Sequence, residues 1–102
     1  MGNFIKLAQR DEVPDGQRGL VVEAAGHYIA IFKVGEQFHA VDNRCLHAGA
    51  SLGDGFLEGA CITCPWHGWQ YDVVSGTCHN NPKLSLRTFA VRVEGEDLWV
   101  ET

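Results

Sequence analysis

The sequence predicts an all-β domain, a small sandwich or barrel of about eight to ten strands. Three observations carry this. Short runs rich in Val, Ile, Phe and Tyr recur between Gly-containing turn clusters. No window sets apolar residues at helical spacing between capping residues. Glycine is abundant, 12 of 102 residues, as a chain of tight turns requires. The apolar fraction of 45% suffices for a core, and the length suits one domain, residues 1–102.

The elements follow in order. Phe4 to Ala8 reads as an opening strand, and Pro14, Asp15 and Gly16 as a turn. From Gly19 to Asn43 the pattern is strand, turn, strand, turn, strand, with turns at Ala25-Gly26 and Gly35-Glu36. The stretch from about residue 44 to 82 breaks this rhythm. It is rich in Gly, His, Cys and Trp and reads as an insertion carried on the β framework, where functional loops usually lie. The end is a hairpin: Val91 and Val93 alternate with Arg92 and Glu94, Gly95 to Asp97 turn the chain, and Leu98 to Val100 return.

Charge and composition exclude several roles. A formal net charge of -5 argues against nucleic acid, whose phosphates need a basic face, and against an anionic membrane surface. No apolar run approaches the roughly 20 residues that span a bilayer. The first residues lack an apolar run with a cleavage site, and Lys6 stands where a myristoylation motif needs Ser or Thr. The expected compartment is the cytoplasm. Thiols stay reduced there, so Cys45, Cys61, Cys64 and Cys78 read as ligands or buried thiols.

The chemistry concentrates in two short motifs, Cys45-x-His47 and Cys64-x-x-His67. A single zinc site built from two arms commonly takes paired cysteines from one and paired histidines from the other. Here each arm is mixed. Mixed arms suit two metals side by side, with each loop giving its Cys to one iron and its His to the other, as in a [2Fe–2S] centre where two histidines replace two cysteines. A structural zinc module made from the same four residues is the competing reading at this point. No Ser-His-Asp or Cys-His-Asn order is present, and Asp54 and Glu58 read as solvated loop charges.

Taken together, "CLH", the gap from Ala48 to Thr63, and "CPWHG" resemble the Rieske signature. "HNNPKL" around Pro82 is similar to the loop that covers the cluster in that family, and "LRTFAVRVEGEDLWV" to its closing strands. The resemblance implies a Rieske-like sandwich or barrel with an inserted cluster-binding subdomain of two loops. It implies one [2Fe–2S] cluster per chain, with Cys45 and Cys64 on the buried iron and His47 and His67 on the outer one. Gly49 and Gly68 would let backbone N–H groups approach sulfur. Leu46 and Trp66 would shield the cluster, Trp69 would pack in the core, and the Tyr71 phenol could reach a ligand sulfur. Cys61 and Cys78 are expected to be buried thiols, since residues 61 and 64 on a strand face opposite sides. His27 and His39 are expected to be ordinary surface or edge residues.

Within the family, the respiratory type carries a membrane anchor and a loop disulfide; Ala50 and Trp66 occupy the disulfide positions here. The oxygenase subunits add a large catalytic domain, whereas this chain stops at Thr102. The resemblance therefore implies a low-potential Rieske ferredoxin, not itself an enzyme and monomeric when free. It would carry single electrons from a flavin-dependent ferredoxin reductase to a terminal ring-hydroxylating oxygenase of aromatic hydrocarbon catabolism. The small subunit of a nitrite-reductase-like complex is the alternative within the family. Lacking the disulfide and a serine hydroxyl at Trp69, the centre is expected near or below about -50 mV, in the lower half of the range for such centres.

Overall fold

The computed structural model describes residues 3–46, 49–66 and 68–102. Among these are ten strands: β1 (Phe4–Gln9), β2 (Leu20–Ala24), β3 (His27–Val34), β4 (Gln37–Asp42), β5 (Phe56–Glu58), β6 (Cys61–Thr63), β7 (Gln70–Asp72), β8 (Thr88–Phe89), β9 (Val91–Glu94) and β10 (Asp97–Glu101). Single 3-10 turns at Arg10–Glu12 and Leu52–Asp54 are the helical segments described.

The strands form three antiparallel sheets, ordered β1-β10-β9, β2-β3-β4-β8 and β5-β6-β7. The sheets are separate, so the architecture is a sandwich with an added layer rather than a closed barrel. β3 explains the layering. Its run Ile29-Ala30-Ile31-Phe32 is wholly buried. Successive side chains on a strand point to opposite faces, so both faces of this strand must be covered. Ile29 and Ile31 join Ala8, Phe38, Ala40, Phe89, Leu98 and Val100 in a framework core against the first sheet. Ala30 and Phe32 join Val41, Leu52, Leu57, Ile62, Tyr71 and both motif cysteines in a second core beneath the insertion.

The insertion is more regular than its sequence suggested. It contains the β5-β6-β7 sheet, with Leu57, Ile62 and Tyr71 in register across the three strands and all buried. Three-residue strands carry only one inward residue each, too short a pattern to stand out against the Gly-rich loops around them. The expectation for His27 and His39 is corrected. They lie on the two central strands of the four-stranded sheet and are half-buried, with the His27 ring 5.8 Å from that of Phe89.

Candidate metal centre

Both motif cysteines open loops of one design. Cys45 follows β4, and its N–H donates to the Ala50 carbonyl at 3.0 Å; Cys64 follows β6, and its N–H donates to the Trp69 carbonyl at 2.7 Å. Each loop thus closes on its sixth residue. In each the fifth residue is a glycine in the left-handed region, Gly49 at φ 72° and Gly68 at φ 73°. A side chain there would cost about 1–2 kcal/mol, which accounts for glycine at both positions.

The loops bring the sulfurs together. Cys45 is 1% exposed and Cys64 2%. Their thiols share a hydrogen bond, and burial first, then that contact, pushes the Cys64 thiol up to about 11. Without iron Cys64 is therefore a neutral thiol, a poor nucleophile and a weak target for oxidation.

Tyr71 enters from β7 beneath them, fully buried. Its Oη accepts the Leu46 N–H at 3.1 Å and lies 3.3 Å from Cys45 Sγ. Because the oxygen already accepts from the backbone, its own proton is free for sulfur. Burial, then contact with Cys45, holds the phenol well above its ordinary pKa of 10.0, so it stays protonated. The reach of Tyr71 to a ligand sulfur is thus observed, and Trp69 packs against the inner core as expected.

Among the described residues of the two loops and the Pro82 segment, several apolar side chains are exposed. Leu46 is 44% exposed and Trp66 57%, and Pro65 and Pro82 are also exposed. Leu46 and Trp66 accordingly form the outer surface of the loops rather than an interior seal. His47 and His67 lie outside the described residues. The two cysteines supply a buried pair of soft donors, which fits an iron–sulfur centre, and no third His, Cys, Asp or Glu joins them among the described residues.

Cys61 requires a correction. It is half-buried, because its strand turns it to the solvent face in register with Glu58 and Asp72, while Cys64 points inward. Burial and those two carboxylates raise its pKa. Cys78 is buried as expected, and no disulfide links cysteines among the described residues. Asp54 and Glu58 are exposed.

Two asparagines that the sequence left unremarked support the loops. Asn80 Oδ1 accepts the Gln70 N–H at 2.8 Å, just past the closure of the second loop, and the Gln70 carbonyl accepts the His79 N–H at 2.8 Å. The segment carrying Pro82 is thereby tied to β7. Asn43 braces the first loop from below. In sequence neither differs from an ordinary turn asparagine.

Comparison with known proteins agrees with this geometry. The family model described as "Rieske [2Fe-2S] domain" matches residues 3–90. The ferredoxin component of the naphthalene 1,2-dioxygenase/salicylate 5-hydroxylase systems of Ralstonia sp. is 37% identical over 93 residues, 90% of this chain and 88% of the relative. The solved ferredoxin of carbazole 1,9a-dioxygenase from Nocardioides aromaticivorans IC177 superposes with a TM-score of 0.88 at 26% identity, covering 96% of each chain. A chain from the complex of reduced oxygenase and oxidized ferredoxin in carbazole 1,9a-dioxygenase superposes at 0.85 with 30% identity, covering 96% of this chain and 92% of that one.

Proposed function

Since the chain belongs to the Rieske [2Fe-2S] domain family, we propose that it is the ferredoxin of a ring-hydroxylating oxygenase system, passing single electrons from a flavin-dependent reductase to a terminal oxygenase. The observation that carries this is the pair of matched loops that bury Cys45 against Cys64 under an exposed apolar rim. Relatives whose names place them as ferredoxin components of dioxygenase systems support the same reading.

Cys45 and Cys64 would hold the cluster as thiolates, with His47 and His67 as its other two ligands. When bound, the cluster supplies one-electron chemistry at a potential set by hydrogen bonds to its sulfurs and by exposure to solvent. The chain's own residues do the rest. The inner core keeps water from the thiolates, Tyr71 donates to Cys45, and Leu46, Pro65, Trp66 and Pro82 present a surface that a partner can desolvate at little cost. Electron-transfer encounters are small and transient, so the free protein is taken as a cytoplasmic monomer of one domain. Both cores share β3 and β4, which supports the single domain. No helix among the described residues is long and apolar enough to cross a membrane.

Metal analysis and reconstitution test the reading. The purified protein is expected to hold about two irons and two labile sulfides per chain. Added to a flavin reductase, NADH and an aromatic-ring dioxygenase, it should restore substrate-dependent oxygen uptake. His47→Ala and His67→Ala should lose the cluster, and Cys61→Ser and Cys78→Ser should keep it. One zinc without iron, or loss of the cluster in Cys61→Ser, would overturn the ligand assignment.

A further inference from the structure

The first ligand loop rests on one residue. Asn43, 7% exposed, is the buried polar side chain of the described residues. Its N–H donates to the Tyr28 carbonyl on β3 at 2.9 Å, and its carbonyl accepts the Leu52 N–H at 2.8 Å. Its Oδ1 accepts the Gly53 N–H at 2.8 Å, and its Nδ2 donates to Ser51 Oγ at 2.9 Å. A single residue, two positions before Cys45, thus ties the loop's entry to β3 and holds residues 51, 52 and 53 of its exit.

Gly53 is fitted to this clasp. A Cβ at position 53 would collide with the Val21 side chain and lie 3.2 Å from Asn43 Oδ1, so only glycine lets that N–H reach the amide. The amide itself is a specific choice. It offers an acceptor and a donor in one uncharged group, whereas a carboxylate would bring a buried negative charge two residues before Cys45, and an apolar side chain would leave the Gly53 N–H without this partner.

We propose that Asn43 is a positioning residue for the metal centre: its neutral amide clamps both ends of the first ligand loop, fixing Cys45 against Cys64 and Tyr71 without adding charge to the base of that loop. The inference rests on the [2Fe–2S] reading. It requires that loosening the clasp release the cluster by more than the general loss of fold stability explains.

The test compares Asn43→Ala, Asn43→Asp and Val100→Ala. Val100 is fully buried in the framework core, on the opposite face of the four-stranded sheet from the cysteines. For each loaded protein the readouts are the melting midpoint, the rate at which a chelator bleaches the visible absorption, and the reduction midpoint. Asn43→Ala should bleach about tenfold faster than Val100→Ala at a matched loss of melting temperature, on the order of one buried hydrogen bond. In Asn43→Asp the carboxylate accepts from both the Gly53 N–H and the Ser51 hydroxyl. Bleaching should return toward the wild-type rate while the reduction midpoint falls. Should Asn43→Ala fail to fold, Ser51→Ala removes the Nδ2 partner alone and should bleach faster with little change in melting. Equal bleaching of Asn43→Ala and Val100→Ala at matched melting overturns the proposal, as does a wild-type bleaching rate in Ser51→Ala. An Asn43→Asp midpoint equal to the wild type overturns the claim about charge. A wild-type protein that takes up no iron and sulfide overturns the family reading and this inference together.

Discussion

At the scale of single residues, Tyr71 is the side chain with most leverage over the centre, since its hydroxyl meets both Cys45 Sγ and the Leu46 N–H. A donor to sulfur favours the reduced state, because reduction adds negative charge. Tyr71→Phe should therefore lower the reduction midpoint, and the two lost hydrogen bonds should cost about 1–3 kcal/mol of stability. Film voltammetry and thermal melting check both; an unchanged midpoint would show that the phenol does not donate to sulfur. The pH dependence has a definite sign. The folded-state pKa of Tyr71 lies above its ordinary 10.0, so its contribution to stability is fully present below that pH and is lost as pH rises past it. Alkaline titration followed by ultraviolet absorbance should ionise Tyr71 only above its ordinary range, as the protein unfolds.

At the scale of elements, the turn between β2 and β3 carries a local strain. Ala25 has φ 52° and Gly26 φ 80°, the left-handed pair that a tight hairpin demands. Glycine bears this freely, but alanine is the one described non-glycine residue with positive φ. Asparagine tolerates the region better, so Ala25→Asn should stabilise the protein by roughly 0.5–1 kcal/mol, seen as a higher melting midpoint. Val at the same position should lower it. The framework strands β2, β3 and β4 were legible because they run five to eight residues between strong turn signals. The strands of the insertion were not, because each is three residues long and its register depends on partners distant in sequence.

At the scale of the whole molecule, the four-stranded sheet separates two cores, and neighbouring residues of β3 serve different ones. Ile31→Ala should cost about 2–5 kcal/mol and Phe32→Ala about 3–5 kcal/mol. Only Phe32 lies in the core that holds the cysteines. Its truncation should speed chelator bleaching beyond what the melting loss accounts for, while Ile31→Ala should not; equal bleaching at equal stability would show that the two cores act as one. The net charge of -5 adds a long-range effect. Steering of partners weakens as the screening length falls from about 10 Å at 0.1 M salt to about 3 Å at 1 M. Turnover at limiting protein should therefore slow with added salt, and an unchanged rate would remove charge steering from the mechanism. By itself the sequence determined the all-β class, the framework hairpins, the two mixed motifs and the acidic character, because these rest on local spacing, alternation and composition. Only the tertiary structure decided that Cys61 faces solvent beside Glu58 and Asp72, that Tyr71 reaches Cys45, and that Asn43 clasps residues 51 to 53. Each of these is a contact across strands or between the ends of a loop, and such contacts are fixed by register and packing, which no local pattern in the chain encodes.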